Sequence, residues 1–415
     1  MASMAQEVSF DRKLDQLARV AVEVGLGLQR GQELVMTASL DAVPLARRII
    51  EHAYRAGASL VTTLYSDDEA ALMRYRHAPG EAFDRAAGWL YDGMGAAFRG
   101  GAARLAITGG NPLLLSNEDP DKVSRANAAV SKAYRPALEL ITRHAINWTI
   151  VAGATPAWAQ AMFPNHGPAV AMEKLWEAIF RTTRVDGDDP VAVWKAHDAG
   201  LQRRAVTMNQ KRYYALHYRG PGTDFRLGLA DEHVWMGGGT TAGNGIYCIP
   251  NMPTEEIFTA PHQGRAEGRL RASKPLSYQG TMIKGIEVRF AEGRIVEAKA
   301  TRGQEVLEKL ISTDDGARRL GEVALVPQSS PIAASGMLFY NTLFDENAAS
   351  HIALGQSYSS CLKDGERLTP EELAARGANR SLIHVDWMIG SGELDIDGIR
   401  ADGAAEPVMR RGEWV

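Results

Sequence analysis

Between Leu14 and Ala152 the chain alternates two hydrophobic periods, and that alternation leaves few architectures open. Leu14, Leu17, Val20, Ala21 and Val24 recur at helical spacing. Gly31 breaks this pattern ahead of residues 33–37 (ELVMT), an apolar run of the kind a buried strand carries. Asp41 is placed to cap a second helix with Leu45, Ala46, Ile49, Ile50 and Ala53 on one face, and Gly57 ends it. Residues 59–65 (SLVTTLY) are rich in β-branched side chains, and a third helix is expected over 68–76. Strand-like runs return at 104–108 and 147–152, with a helical stretch, 122–143, between them. Strands separated by helices pair parallel, with the helices covering both faces. The first half is therefore predicted as an α/β domain built on a doubly wound parallel sheet.

After about residue 210 the pattern changes. Strand-like runs crowd together at 213–218, 224–229, 281–290 and 294–301, and one helix, 304–310, interrupts them. Residues 291–294 (AEGR) offer a hairpin turn with Gly293 for a positive-φ position. The second half is predicted as a β-rich α+β domain that binds metal. The expected domains are residues 1–205 and 206–415.

With 415 residues, 45% of them hydrophobic and 23% charged, the chain can bury sizeable cores. Its 46 basic and 50 acidic residues give a net charge of −4, which argues against nucleic acid or an anionic membrane surface as a partner. No apolar run reaches the roughly 18 residues a membrane span needs. Residues 1–14 lack the apolar stretch of a secretory leader. Two cysteines, Cys248 and Cys361, build neither a disulfide framework nor a thiolate zinc site. A cytoplasmic location is the expectation. Nucleotide binding finds little support: residues 25–31 (GLGLQRG) lack the G-x-G-x-x-G spacing, and residues 237–240 (GGGT) lack the lysine of a P-loop.

The chemistry concentrates in four segments of the second half. Residues 251–256 (NMPTEE) place Glu255 and Glu256 after a proline, and residues 321–326 (GEVALV) put Glu322 at the head of an apolar run. Residues 344–351 (FDENAASH) hold Asp345, Glu346 and His351; residues 381–387 (SLIHVDW) carry His384 and Asp386 in a strand-like setting. On a strand, residues i and i+2 face the same way, so His384 and Asp386 would aim at one point. Taken alone, such a pair is more often simply hydrogen-bonded. On an inner strand Glu322 would lose its water and need a cation opposite, unless it pairs with Arg318 or Arg319. Glu255 and Glu256 cannot point the same way from an extended segment, so one is free to bind a cation while the other acts as a base or faces solvent. Carboxylates with two histidines and no thiolate suit Zn, Mn, Co or Fe. Four or five carboxylates in one place call for more than one cation.

At these segments the sequence resembles the metallo-aminopeptidase family of aminopeptidase T, aminopeptidase S and PepS. The resemblance covers the whole chain and is sharpest at 251–260 (NMPTEEIFTA), 320–326 (LGEVALV), 343–358 (LFDENAASHIALGQSY) and 384–386 (HVD); residues 222–225 (GTDF) and Trp235 add to it. It implies two divalent metal ions per chain: Zn, Mn or Co. The implied ligands are Glu256, Glu322 as the bridging carboxylate, His351, His384 and Asp386, with Glu346 as a further one. Tyr358 matches the family's active-site tyrosine and would donate a hydrogen bond to the developing oxyanion. Glu255, or Glu346 if it is not a ligand, would carry a proton from water to the leaving amine. The implied reaction is hydrolysis of the N-terminal peptide bond of short peptides by a hydroxide shared between the cations. The resemblance also implies a homodimer with an enclosed cavity.

Two other readings compete. His351, His384 and Asp386 alone make the two-histidine, one-carboxylate set of mononuclear Fe(II) oxygenases, and ring-cleaving dihydroxypyridine dioxygenases are similar to this family. Glu256 and Glu322 would then have no task. A hydrolase of this build could also act on a small non-peptide amide.

Overall fold

The computed structural model describes residues 9–278 and 281–415; residues 1–8, part of the stretch read for a leader, lie outside the described residues. The chain divides into two compact units, Met1–Asp198 with Gly239–Pro253, and Ala199–Gly238 with Thr254–Val415. Among the described residues no helix is long and apolar enough to cross a membrane.

The first unit holds a four-stranded parallel sheet in the order Leu60–Ser66, Glu33–Ser39, Ala103–Thr108, Trp148–Ala152. The chain runs one way from Glu33–Ser39 and then back past it, which is the doubly wound pattern. Helix Phe10–Val20 buries Leu14, Leu17 and Val20, and the Ser9 hydroxyl accepts from Arg12 N at its start. It runs on as a π-helical turn, Ala21–Leu26, stopped by Gly27 at φ +57°. Helix Val43–Arg55 buries Leu45, Ala46, Ile49 and Ala53, the face the periodicity marks. Asp41 does not cap it: a 3₁₀ turn, Leu40–Ala42, comes first, and proline fills the opening turn, where a missing N–H costs nothing. Residues 249–252 return to this unit's sheet edge, where Ile150 N donates to Pro250 O and Met252 N to Ile150 O.

The second unit contains a two-stranded antiparallel sheet, Leu276–Tyr278 with Thr281–Ile283, and two large antiparallel ones. The larger has eight strands, ordered Arg294–Lys299, Glu287–Ala291, Pro261–Arg271, Thr223–Leu229, Ala215–Gly220, Asp395–Ile399, Ala405–Arg410, Glu413–Trp414. The run expected as one strand over 281–290 is two, Thr281–Ile283 and Glu287–Ala291, because Gly285 turns the chain at φ +61°. In the following hairpin both Glu292 (φ +50°) and Gly293 (φ +77°) are left-handed, as a two-residue turn between twisted strands requires. The smaller sheet has five strands, ordered His384–Met388, His351–Gly355, Leu320–Leu325, Ile257–Thr259, Met236–Gly237. Every residue of Leu320–Leu325 and His351–Gly355 is buried. Trp235, Trp387, Phe225, Phe290 and Tyr218 fill the common core.

A candidate metal centre

The register of the five-stranded sheet collects the chemistry. Glu322 pairs with Ala353, which pairs with Asp386; Ala324 pairs with His351; Gly355 pairs with His384. Since side chains alternate between faces, Glu322, His351, His384 and Asp386 share one face. A bulge between Leu320 and Glu322 sets this alignment. On the neighbouring strand Ile257 pairs with Leu325, so Glu256, one residue before, falls on the same face. Gly355, opposite His384, sits at φ +104°, and a Cβ there would come 2.1 Å from Ile383 O. Its missing side chain lets the two strands close up beside the histidine.

Two groups of ligand atoms result, and Glu322 belongs to both: Glu256, Glu322 and His351 in one, Glu322, His384 and Asp386 in the other. Glu322 Oε1 lies 3.7 Å from His351 Nε2, and Oε2 lies 3.6 Å from His384 Nε2. His351 Nε2 is 3.1 Å from Glu256 Oε2, and His384 Nε2 is 3.5 Å from Asp386 Oδ1. The pairing with Arg318 or Arg319 is not made: Glu322 is 5% exposed, and Arg319 donates to Gln263 O and Glu292 O instead.

The tautomers follow from the backbone. His351 Nδ1 is 3.1 Å from Ala349 O, and His384 Nδ1 is 2.8 Å from Gln356 O. A carbonyl oxygen only accepts, so each Nδ1 carries the proton and donates it. Each neutral ring then turns a bare Nε2 lone pair toward carboxylate oxygens. Lone pairs facing lone pairs need a proton or a cation between them. Glu256 Oε2 and Asp386 Oδ1 are also buried with no hydrogen bond among the described residues. This donor set, nitrogen lone pairs and orphaned carboxylate oxygens with the outer ring nitrogens anchored, fits a divalent cation.

Without metal the site's charges disturb one another. Burial raises the Glu322 pKa, with Asp386 and Glu256 adding to the rise against His351 and His384. Glu346 is raised well above the usual range by burial and by Glu256, Asp386 and Glu322. Burial alone would lower the two histidines, but the carboxylates win: His351 is raised well above its ordinary value and His384 to about 10. Asp386 is lowered, since His384 and His351 outweigh the cost of its burial.

Glu346 lies in neither ligand group among the described residues, yet Glu256, Glu322, Asp386 and His351 all act on it. Glu255 is buried, sends its backbone N–H to Asn347 Oδ1 at 2.7 Å, and its charge reaches Arg204. The Tyr358 ring stands 4.8 Å from that of His384 and 6.3 Å from that of Phe258. Its phenol is pushed well above the usual value by desolvation and by the charges of Glu322, Asp386 and Glu346. The sequence reading missed Asn347, which is fully buried and also donates to Leu343 O at 3.1 Å. Its place inside the 343–358 motif was the available signal. It also missed the carbonyls of Ala349 and Gln356, which no side-chain pattern could reveal.

The family described as "Thermophilic metalloprotease (M29)" matches residues 10–414. The chain is 53% identical over 407 residues to aminopeptidase T of Thermus thermophilus, covering 98% of this chain and 99% of the relative. The solved structure of wild-type AmpT from Thermus thermophilus superposes with a TM-score of 0.94 at 52% identity, over 98% of this chain and all of that one. A 2,5-dihydroxypyridine dioxygenase from Pseudomonas putida aligns over 98% of both chains with a TM-score of 0.50 at 14% identity, a likeness of fold alone.

Proposed function

The chain belongs to the M29 family of metallopeptidases and is a metal-dependent aminopeptidase; on that premise we propose that its centre takes two divalent cations, Zn, Mn or Co. Glu256, Glu322 and His351 would hold one, and Glu322, His384 and Asp386 the other. The observation behind this reading is the division of Glu322, one oxygen toward each histidine. When bound, such a pair makes a water acidic enough to ionise near neutral pH and polarises the scissile carbonyl.

The chain's own residues do the rest. Ala349 O and Gln356 O hold the two imidazoles in the tautomer that presents Nε2. Glu346, buried and within electrostatic reach of Glu256, Asp386, His351 and Glu322, is placed to take a proton from water as a carboxylate, the form that bound cations would favour, and to pass it to the leaving amine. Glu255 is the alternative carrier. Glu255→Gln and Glu346→Gln separate the two, since the carrier loses kcat with its metal content intact. If Glu346→Gln loses metal instead, Glu346 is a further ligand. Tyr358 keeps its proton and donates it in a hydrogen bond to the oxyanion as charge develops. The substrate in this reading is a short peptide whose free α-amine meets the anionic cluster, which confines cleavage to the first bond. Family resemblance supports a homodimer, and two buried free thiols, Cys248 and Cys361, suit a cytoplasmic setting.

The test pairs metal analysis with a panel of dipeptides and aminoacyl amides, each with and without an N-acetyl group. Two metal equivalents and hydrolysis confined to free amines are expected. One iron with oxygen uptake, or equal cleavage of acetylated substrates, overturns the reading. The single-iron dioxygenase gains nothing from a shared fold and leaves Glu256 without a task.

A further inference from the structure

A cavity in the second unit, apart from the metal ligands, has a different chemistry. Its volume is about 290 Å³, near the small end of the range for small-ligand pockets, about 300–1,000 Å³. Its wall joins the end of helix Pro190–Lys211, the segment after strand Thr223–Leu229, and Lys363. No residue of the metal centre lines it.

Three residues with nitrogen-bearing side chains line this cavity: Arg212 and Lys363, both exposed, and His233. His233 Nδ1 is 2.9 Å from Ala230 O, so Nδ1 donates and Nε2 stays available. Arg212 is close enough for its charge to disfavour protonation of His233. Two acids, Asp231 and Glu232, share the wall and would repel an anion if bare. Both are bound: Asp231 by Arg265 at 2.8 and 3.4 Å, Glu232 by Arg376 at 2.9 Å. Arg376 also donates to Lys363 O at 2.9 Å, which anchors that part of the wall. Among the described residues no carboxylate lies within ion-pair distance of Arg212 or Lys363. With the acids paired, the charge left over is positive, in a chain whose net charge is −4.

The backbone adds an independent observation. Arg212 follows the last residue of its helix at φ +46°, where glycine is the low-strain choice, and its N–H closes the helix on Met208 O at 3.2 Å. Glu232 (φ +56°) and Asp364 (φ +56°), beside Lys363, are left-handed too.

We propose that this cavity binds a small dianion, a phosphate or a dicarboxylate, through Arg212, Lys363 and His233. Arg212 supplies a planar fork for two oxygens and Lys363 a point charge; His233 Nε2 accepts from the hydroxyl of hydrogen phosphate, a contact that a dicarboxylate dianion does not make.

The experiment titrates the metal-loaded full-length chain with inorganic phosphate and, separately, with succinate at low ionic strength, using calorimetry. The comparison is the double variant Arg212→Gly, Lys363→Met. Neither residue belongs to the metal centre, and glycine relieves the backbone at position 212, so the variant keeps its fold and its peptide hydrolysis. One saturable site is expected, weakened by salt and at least tenfold weaker in the variant. Which of the two probes saturates identifies the ligand class. No saturable binding of phosphate and none of succinate up to about 20 mM, beyond a millimolar affinity, overturns the proposal. So does binding that the double variant leaves unchanged, because that anion would sit at the metals.

Discussion

Replacing Glu322 by glutamine removes one negative charge and leaves the side chain's size and an amide oxygen in place. It therefore isolates the carboxylate that two ligand groups share. Its oxygens lie 3.7 and 3.6 Å from the two histidine Nε2 atoms, so its charge is close to both cation positions. Two unit charges about 4 Å apart interact by about 4 kcal/mol at an effective dielectric constant near 20, and a dication doubles this to about 8. If the amide oxygen returns half, each cation loses about 4 kcal/mol, roughly a thousandfold in affinity. Glu256→Gln and Asp386→Asn each touch one group only. After dialysis, elemental analysis should find two metals in the parent chain, one in either single-group variant, and none in Glu322→Gln. Its kcat/KM on a dipeptide should fall at least a thousandfold while its circular dichroism is unchanged. The metal-free variant should melt no lower than the metal-free parent, because burial and neighbouring acids already disfavour the Glu322 charge. A Glu322→Gln protein that still holds one metal tightly would refute the idea of a shared carboxylate.

Three further outcomes are expected. Tyr358→Phe should lower kcat by roughly 10²–10³ with KM and metal content unchanged, the signature of a lost oxyanion donor; a change confined to KM would assign the ring to substrate binding instead. Dialysis against a chelator should abolish hydrolysis, and Zn, Mn or Co should restore it; activity persisting at zero measured metal contradicts the mechanism. Gly355→Ala forces a methyl to 2.1 Å from Ile383 O at φ +104° and should cost about 3 kcal/mol or more in urea unfolding. A loss below about 1 kcal/mol would show that the strand pair yields at little cost.

The parallel sheet of the first unit was legible because its helices and strands differ in hydrophobic period, as Val43–Arg55 and Glu33–Ser39 show. Helix Gly88–Arg99 was not, since its three glycines depress helix propensity and its packing, with Met94 and Phe98 in one cluster with Val35, Ala137 and Ile141, is not visible in the sequence. In the second unit the four chemical segments stood out because carboxylates beside buried apolar runs demand a reason. Their meeting on one face could not be read, because it depends on strand register and on the bulge before Glu322. The contact between Asn347 and the Glu255 amide joins residues 92 apart in the chain, and nothing local announces it.

Charge balance gives an argument for two cations that does not depend on the family. The two ligand groups contain three carboxylates, Glu256, Glu322 and Asp386, and two histidines kept neutral when their Nε2 atoms bind metal. Among the described residues Glu346 belongs to neither ligand group. One dication would leave a buried site at −1, with orphaned oxygens in whichever group it did not occupy. Two dications bring the site to +1, a surplus that one ionised water or one developing oxyanion cancels. The histidine anchors fit the same balance. Both Nδ1 atoms donate to backbone carbonyls, whereas a carboxylate partner in either place would add a negative charge and weaken the site's pull on the water's proton. A buried face so composed is costly when metal-free and near neutral with two cations and one oxyanion. It therefore favours the charge distribution of the transition state over that of the resting ligands, the condition for acceleration rather than mere binding.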